Sequence, residues 1–229
     1  MSFSVSAQSW WNSKKVRGNG NVTTETRTTK DYDAVSSAGN FDVKLVKGNE
    51  GKITLKGEEN LLKYIEIEVK RGALKIKVKK GVNLRMTRKM VVTVPYQDID
   101  KVSLAGSGDV SNSGTIKSED FKVSLAGSGD VDLTVDTQSI KSSIAGSGNI
   151  KLHGTTTKLA CSIAGSGDIN AYDLSSKTTS VSVAGSGNVK TTVSENIKAR
   201  IAGSGSIYYK GRPKIDSRSN GSGSVVSRN

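Results

Sequence analysis

Val102-Ser103-Leu104-Ala105-Gly106-Ser107-Gly108-Asp109-Val110 returns almost unchanged as Val123-Ser124-Leu125-Ala126-Gly127-Ser128-Gly129-Asp130-Val131. Its centre, Ala-Gly-Ser-Gly-Asp/Asn followed by an aliphatic residue, recurs at residues 145–150, 164–169 and 184–189. It returns again as Ala202-Gly203-Ser204-Gly205-Ser206-Ile207, and a worn copy, Asn220-Gly221-Ser222-Gly223-Ser224-Val225, follows. Taken from the first glycine (106, 127, 146, 165, 185, 203, 221), the steps are 21, 19, 19, 20, 18 and 18 residues. Two looser copies, Gly18-Asn19-Gly20-Asn21-Val22 and Ser37-Ala38-Gly39-Asn40-Phe41, lie upstream. A fixed period near 20 residues is the mark of a solenoid.

The residues between the motifs choose the kind of solenoid. Val102-Ser103-Leu104 and Val181-Ser182-Val183 alternate with a period of two, which is strand periodicity. The alternation resumes after each motif, as in Val131-Asp132-Leu133 and Ile150-Lys151-Leu152. No repeat offers the i, i+3, i+4 apolar stripe of a helical repeat, and the period is too short for a four-stranded propeller blade. Each repeat therefore reads as one coil of a parallel β-helix. Two strands flank a Gly-Ser-Gly corner, and a more variable segment returns the chain.

Stacked coils place equivalent residues over one another at about 4.8 Å. Leu104, Leu125, Ile144, Ile163, Val183 and Ile201 then form one inward aliphatic ladder. Val110, Val131, Ile150, Ile169, Val189 and Ile207 form a second. Ser103, Ser124, Ser143, Ser162 and Ser182 form an outward hydroxyl column that Arg200 ends. Glycine at a corner gives access to φ > 0 and lets neighbouring backbones approach. One coil cannot bury its own apolar face, so its stability comes from its neighbours.

Residues 42–100 break the period. Residues 41–46 and 52–55 read as strand, turn, strand. Residues 65–70 and 73–79 flank an Arg71-Gly72 turn, and residues 58–64 suit one helical turn. This segment is expected to cap the solenoid, whose open end would expose strand edges. The division expected is residues 1–8 as the remnant of a secretory signal, 9–100 as first coils and capping hairpins, and 101–229 as regular coils.

Charge and composition narrow the function classes. The 229 residues carry 34 Lys and Arg against 21 Asp and Glu, a formal net charge of +13. From Lys70 to Lys89 there are nine basic residues and no acid. In the hairpin register Glu68 faces Lys75 and Glu66 faces Lys77, which are cross-strand opposite-charge pairs. Lys79, Lys80, Arg85, Arg88 and Lys89 are left without acids and form the candidate ligand surface, for an anionic glycan or lipopolysaccharide. The stretch lacks the interleaved aromatics of a single-stranded nucleic-acid site, so nucleic acid is not expected. No apolar run reaches the ~18 residues of a transmembrane helix. One cysteine, Cys161, and one histidine, His153, exclude a disulfide framework and a cysteine zinc cage. Val5 and Ala7 stand at the −3 and −1 positions of a small-residue cleavage site before Gln8, which places the expected protein outside the cytoplasm. The Trp10-Trp11 pair suits either sugar stacking or packing on the first coil.

The six well-kept motifs, the opening Arg17-Gly18-Asn19-Gly20-Asn21-Val22 and the Asp31-Tyr32-Asp33-Ala34-Val35 strand together resemble the head GIN domain family, DUF2807. The resemblance runs from about Val16 to the end of the chain. It implies an all-β, right-handed, single-stranded β-helix of pectate-lyase-like architecture in exported bacterial proteins, with an adhesin label. It carries no catalytic residues to this chain.

Chemistry in the motifs themselves is sparse. The Gly-Ser-Gly runs lack the Gly-Lys-Ser/Thr ending and the following helix of a phosphate loop. The column Asp109, Asp130, Asn149, Asp168, Asn188 and Ser206 differs from nine-residue calcium β-rolls in period and in the place of Asp. Its first reading is an Asx turn bonded locally. Asp109 and Asp130, the only adjacent acids in it, are the candidates for any cation. A polysaccharide lyase or hydrolase is the enzyme alternative, and it would need two carboxyls facing across a cleft. Asp130, Asp132 and Asp136 cluster in sequence, but Asp132 points outward. His153, read as lying in a loop, and Cys161, read as a small packing residue, share no coil. No catalytic residue and no cofactor are expected. The reading reached is a non-enzymatic, exported β-helix of the cell envelope, adhesive or structural.

Overall fold

The computed structural model describes residues 13–229, so the Val5–Ala7 site and the Trp10-Trp11 pair lie outside the described residues. The chain is all-β, a β-helix of about 7 turns with additional N-terminal strands. The single four-residue helix, Glu59–Leu62, falls inside the segment expected to hold one turn.

The repeats stack in register and in parallel. Val123, Ser124 and Leu125 lie over Val102, Ser103 and Leu104. Ser142, Ser143 and Ile144 lie over those in turn. The two aliphatic ladders expected from the sequence are aligned and buried throughout. Each such side chain contributes roughly 1.5–3 kcal/mol on leaving water. The serine column Ser103–Ser124–Ser143–Ser162–Ser182 is continuous and reaches Arg200. Cys161 packs between Ser142 below and Val181 above, and burial pushes its thiol up to about 12. The return segments differ from expectation, because they too are strand. Asp130–Gly146, Asn149–Gly165 and Ile169–Gly185 each run unbroken around most of a coil.

The two glycines of a corner have different reasons. Gly127 has φ +125, and a Cβ there would lie 2.4 Å from the carbonyl oxygen of Gly106. Gly129 has no positive φ, yet a Cβ on it would meet the Gly108 oxygen at 2.0 Å. Only the first glycine of the pair needs the left-handed region. The second is required by the approach of the next coil alone. The approach is set by hydrogen bonds. The Gly106 oxygen accepts from both Ser128 N–H (3.0 Å) and Gly129 N–H (3.1 Å), and Gly127 serves Ser147 and Gly148 in the same way.

The lower end of the stack is where the sequence misled. The copy at residues 37–41 is a true coil. Ala34–Gly39 lies directly beneath Lys101–Gly106, and Asp42–Lys47 beneath Val110–Ser113. The copy at residues 18–22 is not a coil. Gly18 N–H bonds Arg85 O at 2.9 Å, and Val22–Thr28 runs antiparallel to Lys52–Glu58. Its spacing of 19 is coincidental. Nor do residues 41–46 and 52–55 pair as a hairpin. The first stays in the stack, whereas Lys52–Glu58 crosses to Val22–Thr28 and Val91–Tyr96. The Ile65–Lys70 and Ala73–Val78 hairpin does form, and its second strand continues the stack beneath Ala34–Gly39. Val91–Tyr96 does the same beneath Asp42–Lys47. The chain thus builds one coil, descends to build the coil below it, and then crosses above the first.

Three substitutions separate backbone strain from collision. Gly20 has φ +80 with nothing within 4 Å of a Cβ, so Gly20→Ala should cost only the left-handed strain, about 1–2 kcal/mol. Gly129→Ala meets collision without that strain, and Gly127→Ala meets both. Thermal melts should rank Gly127→Ala as the most destabilised and Gly20→Ala as the least. A Gly129→Ala variant melting with wild type would show that the coils can part at no cost.

Candidate functional site: the basic cap

The Ile65–Lys70 and Ala73–Val78 hairpin has the expected register, Glu66 opposite Lys77 and Glu68 opposite Lys75. The ion pairs do not follow it. Lys77 Nζ reaches both Glu66 (3.5 Å) and Glu68 (3.3 Å), and Lys70 holds Glu68 at 3.0 Å. The diagonal partner wins because Lys77 sits between the two carboxylates. Lys75 has no acid within 4.0 Å among the described residues.

Of the five cations left over by the sequence, Lys89 is a correction. Its Nζ lies 2.6 Å from Asp42 Oδ2, an acid 47 positions away in sequence, brought close because Asp42 N–H bonds Met90 O. Asp42 raises the Lys89 pKa by hydrogen bond and charge. Lys79, Lys80, Arg85 and Arg88 are exposed and have no acidic side chain in ion-pair range among the described residues. The structure adds partners of the same sign. Lys14–Arg17 forms a parallel ribbon with Val82–Arg85, in which Arg17 is paired with Arg85. Paired residues of a parallel ribbon point the same way, so two guanidinium groups leave one face together. Like charges placed directly opposite are destabilising. Lys14 and Lys15 extend the same ribbon. No run in the sequence could reveal this, because the two strands are more than 60 residues apart.

Glu58 fixes the position of this surface. It is fully buried and accepts hydrogen bonds from Gly20 N–H (2.7 Å), Thr87 N–H (2.8 Å), Thr87 Oγ1 (2.6 Å) and Arg88 N–H (3.2 Å). Burial acts to raise its pKa. The bonds from Thr87, Gly20 and Arg88 outweigh burial and hold the carboxyl at about 2. One carboxylate therefore ties the loop before Val22 to the loop that carries Arg88.

The acidic column is structural. Asp109 Oδ1 accepts Asp130 N–H at 3.1 Å, Asp130 Oδ1 accepts Asn149 N–H at 3.1 Å, and Asp168 Oδ1 accepts Asn188 N–H at 2.7 Å. Below them Asp42 Oδ1 accepts Asp109 N–H at 3.1 Å. The bonds join successive coils rather than closing a local turn, which corrects the sequence reading. Among the described residues no group of three or more His, Cys, Asp or Glu side chains is arranged to hold a metal ion.

His153 is in a strand, Asn149–Gly165, not in a loop. Its Nε2 lies 3.0 Å from Asp132 Oδ1 and its Nδ1 3.5 Å from Asp173 Oδ2. A bulge between the coils sets Asp173, not Tyr172, over the ring. The two carboxyls clamp one imidazole from below and above instead of facing each other across a cleft. Cys161 is buried beyond its reach. Sequence reasoning missed this contact because the partners lie on three different coils.

An in-register parallel β-helix with a strand-built, basic cap defines the architectural class. Residues 31–213 match the family described as "Putative auto-transporter adhesin, head GIN domain", and the chain belongs to that family. Solved structures share the fold. A "putative lipid binding protein" from Parabacteroides distasonis is 29% identical with a TM-score of 0.81, over 94% of this chain and 100% of that one. A "putative adhesin" from Bacteroides fragilis is 24% identical with a TM-score of 0.88, over 93% and 100%. One from Parabacteroides merdae is 24% identical with a TM-score of 0.79, over 94% and 99%. No curated protein matches the chain in sequence. Among the described residues no helix is long and apolar enough to cross a membrane.

The Glu58 cradle has a pH signature. Its carboxyl is at about 2 when folded and at 4.5 when free, so the unfolded chain takes up the proton first. The stability it contributes is complete above pH 4.5 and is lost as pH falls towards 2. Glu58→Gln should cost about 1–3 kcal/mol at pH 7, since buried donors lose a charged acceptor. It should also flatten the fall in Tm between those pH values. Calorimetry on both proteins at stepped pH reads the effect, and parallel curves would contradict it.

Proposed function

We propose that the chain is a non-enzymatic, extracytoplasmic β-helix module, adhesive or structural, that holds anionic glycans or lipopolysaccharide phosphates at its basic cap. The observation that carries this reading is the pairing of Arg17 with Arg85 on one face of a two-stranded ribbon. Such a pair gains from an anion placed between its members, because guanidinium forks match phosphate, sulfate and carboxylate oxygens. Arg88, Lys79 and Lys80 surround it without acids in ion-pair range among the described residues. The acids of the coil corners are meanwhile engaged by N–H groups of the next coil.

Family membership supports an adhesin-like role. A lipid-binding name on one relative fits the same anionic headgroup chemistry. The small-residue site before Gln8 supports a place outside the cytoplasm. The carboxyls nearest one another around His153 grip the imidazole, an arrangement that favours binding over glycoside hydrolysis.

The test is retention on immobilised lipopolysaccharide and on heparin across a salt gradient. Exposed charges are screened within about 8 Å at physiological ionic strength, so binding should be salt-sensitive. Arg17→Gln/Arg85→Gln/Arg88→Gln should elute from lipopolysaccharide at lower salt than wild type, with its Tm unchanged or raised by relief of repulsion. Co-elution of the two proteins would remove the cap from the account.

A further inference from the structure

A groove of about 520 Å³ runs along the axis of the solenoid over its last five coils, far from the cap in sequence. Each coil contributes three consecutive residues, and the registers superpose them without a slip. Residues 139–141 lie under 158–160, these under 178–180, these under 196–198, and these under 214–216. The middle residue of the first four sets is turned into the core; Ile140, Leu159, Thr179 and Ile197 are all buried. The outer two stand as facing walls.

The walls carry cations in a pattern. Lys141 and Lys158 stand at one end, on opposite walls and successive coils. Lys198 and Lys214 repeat that arrangement at the other end. In each wall the two lysines are three coils apart, about 14 Å. Between the two pairs the walls present Thr178, Ser180 and Asn196, which are donors and acceptors without charge. The one acid in the lining, Asp216, is taken by Arg200, with Nη2 to Oδ2 at 3.0 Å and Nη1 to Oδ1 at 3.2 Å. None of the four lysines has an acid within 4.0 Å among the described residues.

We propose that this groove binds a linear acidic glycan lying parallel to the solenoid axis. The inference rests on the reading of the protein as a binder of anionic glycans, and moves a second, length-selective site onto the coils. The hydroxyl and amide walls suit a polyhydroxylated chain, and the paired lysines suit carboxylates or sulfates about 14 Å apart along it. One sugar advances a glycan by about the spacing of one coil, so successive residues meet successive rungs. An acyl chain is less well served, since the apolar floor is packed inward and only Ile215 is substantially exposed.

The probe is a series of heparin-derived oligosaccharides of increasing length, with neutral dextran oligosaccharides as control, titrated by calorimetry. Affinity should rise with length until the oligosaccharide spans the five coils, about 19 Å, and then level off. Lys141→Gln/Lys158→Gln/Lys198→Gln/Lys214→Gln should lose at least tenfold in affinity and lose the plateau, with its melting curve intact. Ser180→Asp, which puts one negative charge at the centre, should weaken binding by a similar factor. The cap variant Arg17→Gln/Arg85→Gln/Arg88→Gln should keep the plateau. Wild-type affinity in the quadruple variant, or a rise with length that never levels, would overturn the groove while leaving the cap reading standing. If wild type binds no oligosaccharide but is retained by lipopolysaccharide, the groove alone falls. If it does neither, both readings fall.

Discussion

The carbonyl oxygen of the first corner glycine accepts two N–H groups from the coil above, and much of the molecule follows from that shared bond. The Gly106 oxygen takes Ser128 and Gly129, and the Gly127 oxygen takes Ser147 and Gly148. The next N–H along, that of Asp130 or Asn149, goes to the Asx side chain below. Three consecutive donors of each such corner are thus satisfied by the coil beneath, as buried or closely packed backbone groups require. The bonds draw the backbones so near that a Cβ has no room on either glycine. Gly-Ser-Gly-Asx is therefore one hydrogen-bonding device read four residues long. The aliphatic ladders are aligned because the corners fix the register for them.

This explains why the coils were legible in the sequence and the cap was not. In the coils every constraint is repeated, so the spacing of Gly106, Gly127 and Gly146 announces the stack, and Leu104, Leu125 and Ile144 announce its inner face. The cap is built from single events. Gly18-Asn19-Gly20 has the look of a corner, but its N–H groups go to Arg85 and Glu58. Lys52–Glu58 follows Asp42–Lys47 with a turn between them, yet it pairs elsewhere. Local pattern states that a strand exists and is silent on its partner when the partner is not its neighbour.

The candidate sites divide along the same line. A run such as Lys79-Lys80 is visible in sequence, and four of its five flagged cations remain without acids in ion-pair range among the described residues. Lys89 does not, because Asp42 is delivered to it by strand pairing across the cap. The Arg17–Arg85 pairing, the clamp on His153 and the groove lysines are all contacts between coils or between distant strands. Lys141, Lys158, Lys198 and Lys214 are 16 to 40 residues apart, and only the register brings them into one line. In a solenoid, surface chemistry is written down the columns, so a search along the chain meets it one letter at a time.

The order in which the coils are stacked also sets an order of assembly. Ala34–Gly39 is flanked by Ala73–Val78 below and Lys101–Gly106 above, and both neighbours emerge later in synthesis. A nascent chain ending near residue 70 therefore carries a coil with two bare edges, the state most open to wrong pairing. The lower edge is the first to be closed, by a strand only 34 positions further on through an antiparallel hairpin, the fastest such connection available. Once it is closed, growth proceeds in one direction only, each new coil templated on the last. The out-of-order coil is in effect a stop placed behind the growing end before growth begins.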